Sequence, residues 1–308
     1  MFPSTFDLSR TLSRAALISL VAVTLVCAGC LVRRHKLDRA ARPNAPLLTA
    51  SLDELTGILR ERYDSFETLN ATVDLEPALL SSSKGEIAEY KDVLGYILFR
   101  KPSSIRVIAL YPVVRTTAFD MVSDGHSFRL YLPGKNLFLI GLNRIEKPSP
   151  KKLENLRPEH LLDALLIRPP DPPSERAVFE NWAEGGEPSY IVHIIRREAP
   201  GRLDLARNIW FDRTSLEIHR QQVFDAQGNI TSDARYGEWE RRGGVLYPKQ
   251  IIVTRPKEEY ELSIRFEKAT FNQPISREKF DLPEPPGVKV ERINGGASAK
   301  PSGGGGGG

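Results

Sequence analysis

Two kinds of hydrophobic periodicity divide the chain. Leu55 and Leu59 recur at helical spacing after Ser51 and Glu54, which are separated as in a capping box, so we predict a helix over residues 51–68. After this helix, apolar and polar residues alternate, as they do in half-buried strands. The folded part of the chain is therefore expected to begin with one helix and to continue as β structure.

The alternating pattern extends to about residue 280 and predicts an antiparallel sheet. Turn signals such as Gly243-Gly244 separate the runs, which is typical of hairpins. Leu262, Ile264 and Phe266 alternate with polar residues, so this strand is expected to have one dry face and one wet face. The predicted strands are 71–76, 92–100, 104–111, 114–122, 127–133, 137–141, 176–183, 189–197, 206–213, 216–225, 230–240, 246–254 and 258–270.

One apolar stretch interrupts the strands. Residues 159–167 follow Pro158 and are mostly apolar, which predicts a short helix before the Pro-rich turn at 169–173. Two interpretations of this helix remain open, because periodicity alone does not separate them. The helix packs under the sheet as ordinary core, or it fills or gates an apolar cavity.

The N-terminus has the pattern of an export signal. Two arginines precede an uncharged apolar run at residues 15–26, which is too short for a comfortable membrane span. The small pair Ala28-Gly29 before Cys30 resembles a bacterial lipobox, which implies lipid transfer to Cys30 and cleavage after Gly29. Cys27 stands where the lipobox usually has leucine. We therefore interpret residues 1–29 as a lipoprotein signal peptide.

The two cysteines also have the spacing of a redox or zinc pair. A zinc site needs two more ligands, and the sequence has no second cysteine pair and no spaced histidine pair. A redox pair is expected at a helix start inside a folded domain, not at the end of an apolar leader. The lipid anchor is therefore the favoured interpretation, with residues 30–50 as a tether and the Gly-rich residues 291–308 as a flexible tail.

The charge balance and the motifs exclude several classes of function. The 308 residues carry 43 Lys and Arg against 39 Asp and Glu, spread evenly, so nucleic-acid binding is not predicted. The five histidines are dispersed singly, the G-x-S-x-G elbow is missing, and the one glycine-rich run is the C-terminal tail. We predict no metal, no cofactor and no enzymatic activity. A carboxylate pair brought together only by folding, as in glycosidases, stays open.

Three groups of residues carry a resemblance to a known family. Residues 95–102 are similar to a strand that ends in a Lys/Arg-Pro turn, and residues 119–125 followed by Tyr131-Leu132-Pro133 match an S-D-G turn and a Y-x-P strand end. Residues 280–288 resemble a closing F-x-x-P…P-x-G-V element. Together with the first helix, these motifs resemble the LolA/LolB superfamily of periplasmic lipoprotein carriers and receptors, in particular its lipid-anchored members.

The resemblance implies a mainly β (α+β) domain over residues 51–290. The expected fold is a curved antiparallel half-barrel whose concave apolar face is covered by helices and binds acyl chains, which requires few polar residues. The alternative for the same residues is a solid core. The predicted cavity residues are Tyr96, Leu98, Val107, Ala109, Phe119, Met121, Leu262, Ile264 and Phe266 on strands, with Leu162, Leu165 and Leu166 on the second helix.

Two arginines beside the Lys-Pro turn are candidates for headgroup recognition. Arg100 and Arg106 lie on either side of Lys101-Pro102. They either contact a lipid headgroup or are solvated turn charges.

The family resemblance and the lipobox together define the expected function. We expect a periplasmic protein, lipid-anchored in the outer membrane, that binds the acyl chains of lipids or lipoproteins and takes part in lipoprotein sorting or insertion with a periplasmic carrier. Leu31 follows Cys30, where an aspartate would favour inner-membrane retention in some bacteria. Two alternatives remain: an envelope sensor or scaffold that binds a protein partner on the same fold, and an unrecognised envelope hydrolase.

The lipid anchor predicts that the protein incorporates a labelled fatty acid. Cells fed labelled palmitate should label the wild-type chain and the control Cys27→Ala, whereas Cys30→Ala should carry no label because the attachment needs the thiol of Cys30. Equal labelling of wild type and Cys30→Ala, or no labelling of wild type, would contradict the anchor.

Overall fold

The structure is a computed structural model that describes residues 46–81, 86–89, 93–143, 158–182, 188–198 and 201–293. The predicted signal peptide, Cys30 and residues 294–308 of the predicted Gly-rich tail lie outside the described residues, whereas residues 291–293 belong to the last strand. The helices are α1 (Leu52–Asp64) and α2 (Pro158–Leu165). The strands are β1 (Thr68–Ser81), β2 (Glu86–Glu89), β3 (Val93–Arg100), β4 (Ser104–Leu110), β5 (Thr117–Ser123), β6 (Ser127–Leu132), β7 (Leu137–Leu142), β8 (Glu175–Trp182), β9 (Ser189–Arg197), β10 (Leu203–Asp212), β11 (Ile218–Phe224), β12 (Ile230–Arg242), β13 (Val245–Arg255), β14 (Tyr260–Phe271) and β15 (Lys289–Ile293).

All these strands belong to one open sheet. Its order is β15-β7-β6-β5-β4-β3-β1-β14-β13-β12-β11-β10-β9-β8, and β2 pairs with the end of β1. Every described pairing is antiparallel except that of β15 with β7. The two outer strands of the path, β15 and β8, are not joined, so the sheet is an incomplete barrel. The predicted fold class is confirmed.

Helix α2 shows that the sheet is strongly curved. It contacts β4, β5 and β13, although β5 and β13 are five strand positions apart in the sheet. Five strand spacings correspond to about 24 Å on a flat sheet, whereas a helix with its side chains is only about 10 Å across. The sheet therefore bends around the helix, and its inner face forms one continuous apolar core.

The start of helix α1 matches the sequence prediction. The backbone N–H of Glu54 donates to Ser51 Oγ at 3.3 Å, and the N–H of Ser51 donates to Glu54 Oε2 at 2.7 Å. This reciprocal pair is the predicted capping box, and it satisfies two backbone donors at the helix start.

The end of helix α1 differs from the prediction. The helix ends at Asp64 and not at residue 68, because Phe66 is buried in the core and Thr68 already begins β1. The ammonium of Lys101 donates to the carbonyl of Tyr63 in the last helical turn, so a positive charge lies at the negative end of the helix dipole.

Two strands have no counterpart in the sequence prediction. β2 is a four-residue extension beside β1, and β15 pairs in parallel with β7, which lies far away in the sequence. The two strands of such a parallel pair are not joined by a hairpin turn, so no turn sequence indicates that they pair. The predicted domain end at residue 290 falls inside β15.

The C-terminal segment covers the outer face of one part of the sheet. Leu282 packs with Val122 and Phe138, which lie on β5 and β7, in a small cluster that is separate from the main core. Val288 and Val290 pack against the same cluster. This segment explains why several strands near β5 are apolar on both faces.

Arg100 and Arg106 contact the C-terminal segment. Arg106 forms a two-point ion pair with Asp120 at 3.0 and 2.7 Å and donates to the carbonyl of Lys279 at 2.9 Å. Arg100 donates to the carbonyl of Ile275 at 3.3 Å. The two arginines therefore hold the C-terminal segment against the outer face, and a headgroup contact stays a prediction.

The Arg106–Asp120 pair is expected to matter for stability. Arg106→Met leaves the carboxylate of Asp120, which is only 9% exposed, without its partner and should lower the free energy of unfolding by about 2–3 kcal/mol. The control Arg202→Met removes an exposed arginine that pairs with Asp204 and should cost less than about 1 kcal/mol. Urea unfolding measures both, and equal losses would contradict the assigned role of Arg106.

Candidate functional site

The inner face of the sheet and the two helices form one apolar interior. Side chains from both halves of the sheet meet there, and Leu55 and Leu59 of α1 are completely buried in it. Ten of the twelve predicted cavity residues lie in this interior or pack against it. They are Val107, Ala109, Phe119, Met121, Leu162, Leu165, Leu166, Leu262, Ile264 and Phe266.

The other two predicted cavity residues lie on the wrong face. Tyr96 is 37% exposed and Leu98 is half-buried. The residues that alternate with them, Ile97 and Phe99, are completely buried. Gly95 belongs to the inner set, because a Cβ added there would lie 2.7 Å from Leu75 Cδ1. β3 is apolar on both faces, so its alternation could not indicate which residues point inward.

Helix α2 fills the interior at this end of the sheet. Its residues Leu161, Leu162, Ala164 and Leu165 are at most 6% exposed, and the following Leu166 is 3% exposed. The helix thus packs as core, as one of the two sequence interpretations expects. Whether it also gates a cavity depends on what holds it in place.

Three side-chain hydrogen bonds fix α2. The Tyr247 hydroxyl donates to the carbonyl of Leu165 at 3.2 Å, and Gln221 Nε2 donates to the carbonyl of Asp163 at 2.7 Å. His160 Nδ1 lies 3.1 Å from the hydroxyl of Tyr260. Arg168 also donates to Asp163 Oδ1 at 3.4 Å, and the leucines and Ala164 of the helix pack in the apolar core.

A small apolar pocket lies where α1, α2, β12 and β13 meet. Its volume is about 30 Å³, close to that of a single water molecule. Most of its walls are apolar or aromatic. It is lined by Arg62, Tyr63, Phe66, Ala164, Leu165, Leu166, Ile167, Tyr236, Trp239, Leu246, Tyr247 and Pro248.

Two polar groups of this pocket have no hydrogen-bond partner. They are Nη1 of Arg62 and the hydroxyl of Tyr236, which is 5% exposed. Burial raises the pKa of Tyr236 well above its usual value, so the phenol stays protonated. Burial also lowers the pKa of Arg62, while the charges of Glu217 and Glu61 oppose this shift.

Neither Arg62 nor Tyr236 was among the predicted site residues. Arg62 lies four residues before the first core phenylalanine on a helix with several charged residues, and Tyr236 lies in a strand with mixed character. Single polar residues of this kind carry no local signal, because the pocket is built from four elements that are distant in the sequence.

A larger polar cleft of about 630 Å³ lies beside α2, and its cations are paired. Arg255 bonds Glu258, Lys257 bonds Asp225, and Arg196 bonds Glu175. At the edge of this cleft, desolvation raises the pKa of Asp163, while Arg168 opposes the shift from 3.4 Å away. The lining also carries more acidic than basic side chains, so the cleft is not suited to an anionic ligand.

Two exposed apolar features lie outside the interior. In the loop between β4 and β5, Val113 is 93% exposed and Val114 is 67% exposed. The outer strand β8 exposes Val178 and Trp182 by 48% and 40%. Exposed apolar groups of this kind mark candidate contact surfaces.

Two features of the described residues bear on catalysis, a serine–histidine contact and the grouping of metal-binding side chains. Ser189 Oγ lies 3.0 Å from His219 Nε2, but Ser189 is only 1% exposed, so a substrate does not reach it. Within the described ranges no three His, Cys, Asp or Glu side chains are grouped to hold a metal ion. Neither α1 nor α2, the helices of these ranges, has the length and apolar character needed to cross a membrane.

Comparisons with known proteins identify similar solved structures. No family model and no curated protein matches the chain. A LolA superfamily protein from Nitrosomonas europaea is 11% identical, with 76% of this chain and 99% of that chain covered and a TM-score of 0.48. A DUF1329 family protein from Desulfovibrio piger is 14% identical, with 74% and 95% covered and a TM-score of 0.49. A domain from Vibrio parahaemolyticus, described as an outer membrane lipoprotein-sorting protein, is 12% identical, with 74% and 95% covered and a TM-score of 0.48.

One of these structures is described as a member of the superfamily that the sequence motifs resemble.

The two buried tyrosines near α2 provide a matched pair of variants. Tyr247→Phe leaves the carbonyl of Leu165 unpaired and should lower the free energy of unfolding by about 1–2 kcal/mol. Tyr236→Phe removes a hydroxyl that has no partner, so it should leave stability unchanged or raise it slightly. Urea unfolding compares them, and an equal loss in both variants would contradict the hydrogen-bond assignment.

Proposed function

We propose that this protein binds acyl chains of lipids or lipoproteins in the apolar interior between the curved sheet and helices α1 and α2. The observation that carries the proposal is the composition of this interior, a continuous apolar surface closed on one side by short helices. A binding site for methylene chains needs this property and little else.

Binding requires α2 to move, because the pocket beneath it holds only about 30 Å³. The leucines of α2 occupy the volume that an acyl chain would take. A chain that replaces them restores most of the lost apolar burial, since methylene groups and leucine side chains gain similar free energy from leaving water. The remaining cost lies mainly in the hydrogen bonds from Tyr247, Gln221 and His160.

The proposed location is the periplasmic side of the outer membrane, with attachment through Cys30. The exposed Val113 and Val114 support membrane contact, because a loop tip with such side chains gains free energy when it enters an apolar layer. Lipoprotein sorting or insertion, with cargo received from a periplasmic carrier, is the role that unites an anchor, an acyl-binding interior and a membrane-contacting loop.

A second candidate function is an envelope sensor or scaffold that binds a protein. β8 is an outer strand of the sheet and carries exposed Val178, Phe179 and Trp182. A partner's extended segment gains backbone hydrogen bonds on such an edge. In this role the interior would remain closed.

Acyl binding predicts a change in the protection of α2. The full-length protein should bind a fluorescent fatty acid, and binding should speed hydrogen exchange at the amide of Leu166, which donates to Leu162 at 2.9 Å. The amide of Asn136, in the turn before β7, serves as the control and should not change.

The outcomes of this experiment separate the two candidate functions. Failure to bind the fatty acid, together with native mass spectrometry that finds no lipid on protein purified from membranes, would exclude the acyl-binding function. Binding without faster exchange at Leu166 would show that the ligand lies elsewhere than beneath α2.

A further inference from the structure

The pocket beneath the helices contains an unusual concentration of unpaired polar atoms. Among the described residues, the buried side-chain polar atoms without a hydrogen-bond partner are Arg62 Nη1, Asn143 Oδ1, Gln221 Oε1 and the Tyr236 hydroxyl. Arg62 and Tyr236 line the same pocket of about 30 Å³. Because buried polar groups in folded proteins are nearly always paired, two at one place call for an explanation.

The chemistry of these two groups specifies an acceptor. A guanidinium nitrogen can only donate hydrogen bonds, and a protonated tyrosine hydroxyl is free to donate as well. Two other polar side chains at this pocket are already bonded, since Tyr247 donates to the carbonyl of Leu165 and Trp239 donates to the carbonyl of Ile218. Arg62 Nη1 and the Tyr236 hydroxyl are thus two buried donors without a protein acceptor, in a pocket whose walls are mostly apolar or aromatic.

Arg62 is held in place by its neighbours. Its guanidinium lies 4.3 Å from the centre of the Trp239 ring, and the indole N–H of Trp239 donates to the carbonyl of Ile218 at 2.9 Å. A stacked guanidinium over a fixed ring loses little freedom when it forms a further bond. The donor is therefore preorganised for a ligand atom.

We infer that Arg62 and Tyr236 bind the oxygen-bearing end of an acyl ligand, a fatty-acid carboxylate or an ester carbonyl. The pocket has room for about one polar group and not for an acyl chain. Leu165 and Leu166 line the same pocket, so the acyl chain of the ligand extends from it into the space beneath α2. This inference rests on the proposed acyl-binding function and adds the site that orients the ligand.

Ligands with one chain length and different ends test the inference. Displacement of a fluorescent fatty acid from the full-length protein would compare dodecanoate and methyl dodecanoate with dodecyltrimethylammonium, which has no acceptor. Wild type should bind the two oxygen-bearing ligands about ten-fold more tightly than dodecyltrimethylammonium. If Tyr236→Phe weakens the binding of both dodecanoate and methyl dodecanoate, the pocket accepts an ester carbonyl. If the variant weakens the binding of dodecanoate alone, the pocket requires a free carboxylate.

Three variants make the test specific. Tyr236→Phe should weaken dodecanoate binding about ten-fold and leave dodecyltrimethylammonium binding unchanged. Arg62→Met should also weaken dodecanoate binding about ten-fold, but it should not weaken the binding of dodecyltrimethylammonium, because a cation gains from the loss of a positive charge. Arg60→Met is the matched control, because Arg60 is an exposed arginine of the same helix and its loss changes the net charge equally. Unfolding curves of Tyr236→Phe confirm that the variant is folded.

Each outcome has a distinct meaning. Wild-type affinity in Tyr236→Phe overturns the site even if Arg62→Met binds weakly, because a lone positive charge attracts anions without a specific pocket. Equal binding of all three ligands, unaffected by the variants, overturns the site and leaves acyl binding intact. If wild type binds none of the ligands, the proposed function itself fails.

Discussion

The need to bury one apolar face of a very wide sheet governs the whole structure. A flat sheet of this width cannot be covered by α1 and α2, so it curves until strands as far apart as β5 and β13 contact the same helix. Curvature turns the inner face into an interior that is filled mainly by the sheet's own side chains. The two helices then complete the closure, and the properties of this interior follow from how they are held.

The interior combines a uniform apolar surface with a few directed polar contacts. Apolar contacts do not specify a unique partner, since leucines and methylene chains gain comparable free energy from burial. The polar contacts do specify one, because Tyr247 and Gln221 bond the carbonyls of α2. A lid held mainly by exchangeable apolar contacts and by few hydrogen bonds is suited to displacement by a lipid. In the proposed site, Arg62 Nη1 and the Tyr236 hydroxyl, which have no hydrogen-bond partner among the described residues, would favour the oxygen-bearing end of that lipid.

The outer face of the sheet is covered by a segment that polar contacts hold in place. There the C-terminal segment lies across β5 to β7 and is tied down by Arg100, Arg106 and Arg129. Arg100 and Arg106 lie beside the Lys-Pro turn of the family resemblance, and the sequence left two interpretations open for them, a headgroup contact or a solvated turn charge. Their partners are backbone carbonyls of a segment about 170 residues away in the chain. Conversely, the polar residues of the pocket gave no local signal.

The sequence by itself determined the kind of elements, their order, the capping of α1 and most of the apolar residues that face the interior, because each depends on local periodicity or short-range hydrogen bonding. The predicted export signal and the lipid attachment at Cys30 also rest on the sequence alone. Only the tertiary structure decided which face of β3 points inward, because Tyr96-Ile97-Leu98-Phe99 is apolar throughout and its phase depends on the neighbouring strands. It also decided the role of Arg106 and the meeting of Arg62 with Tyr236, because both depend on contacts between segments far apart in the chain.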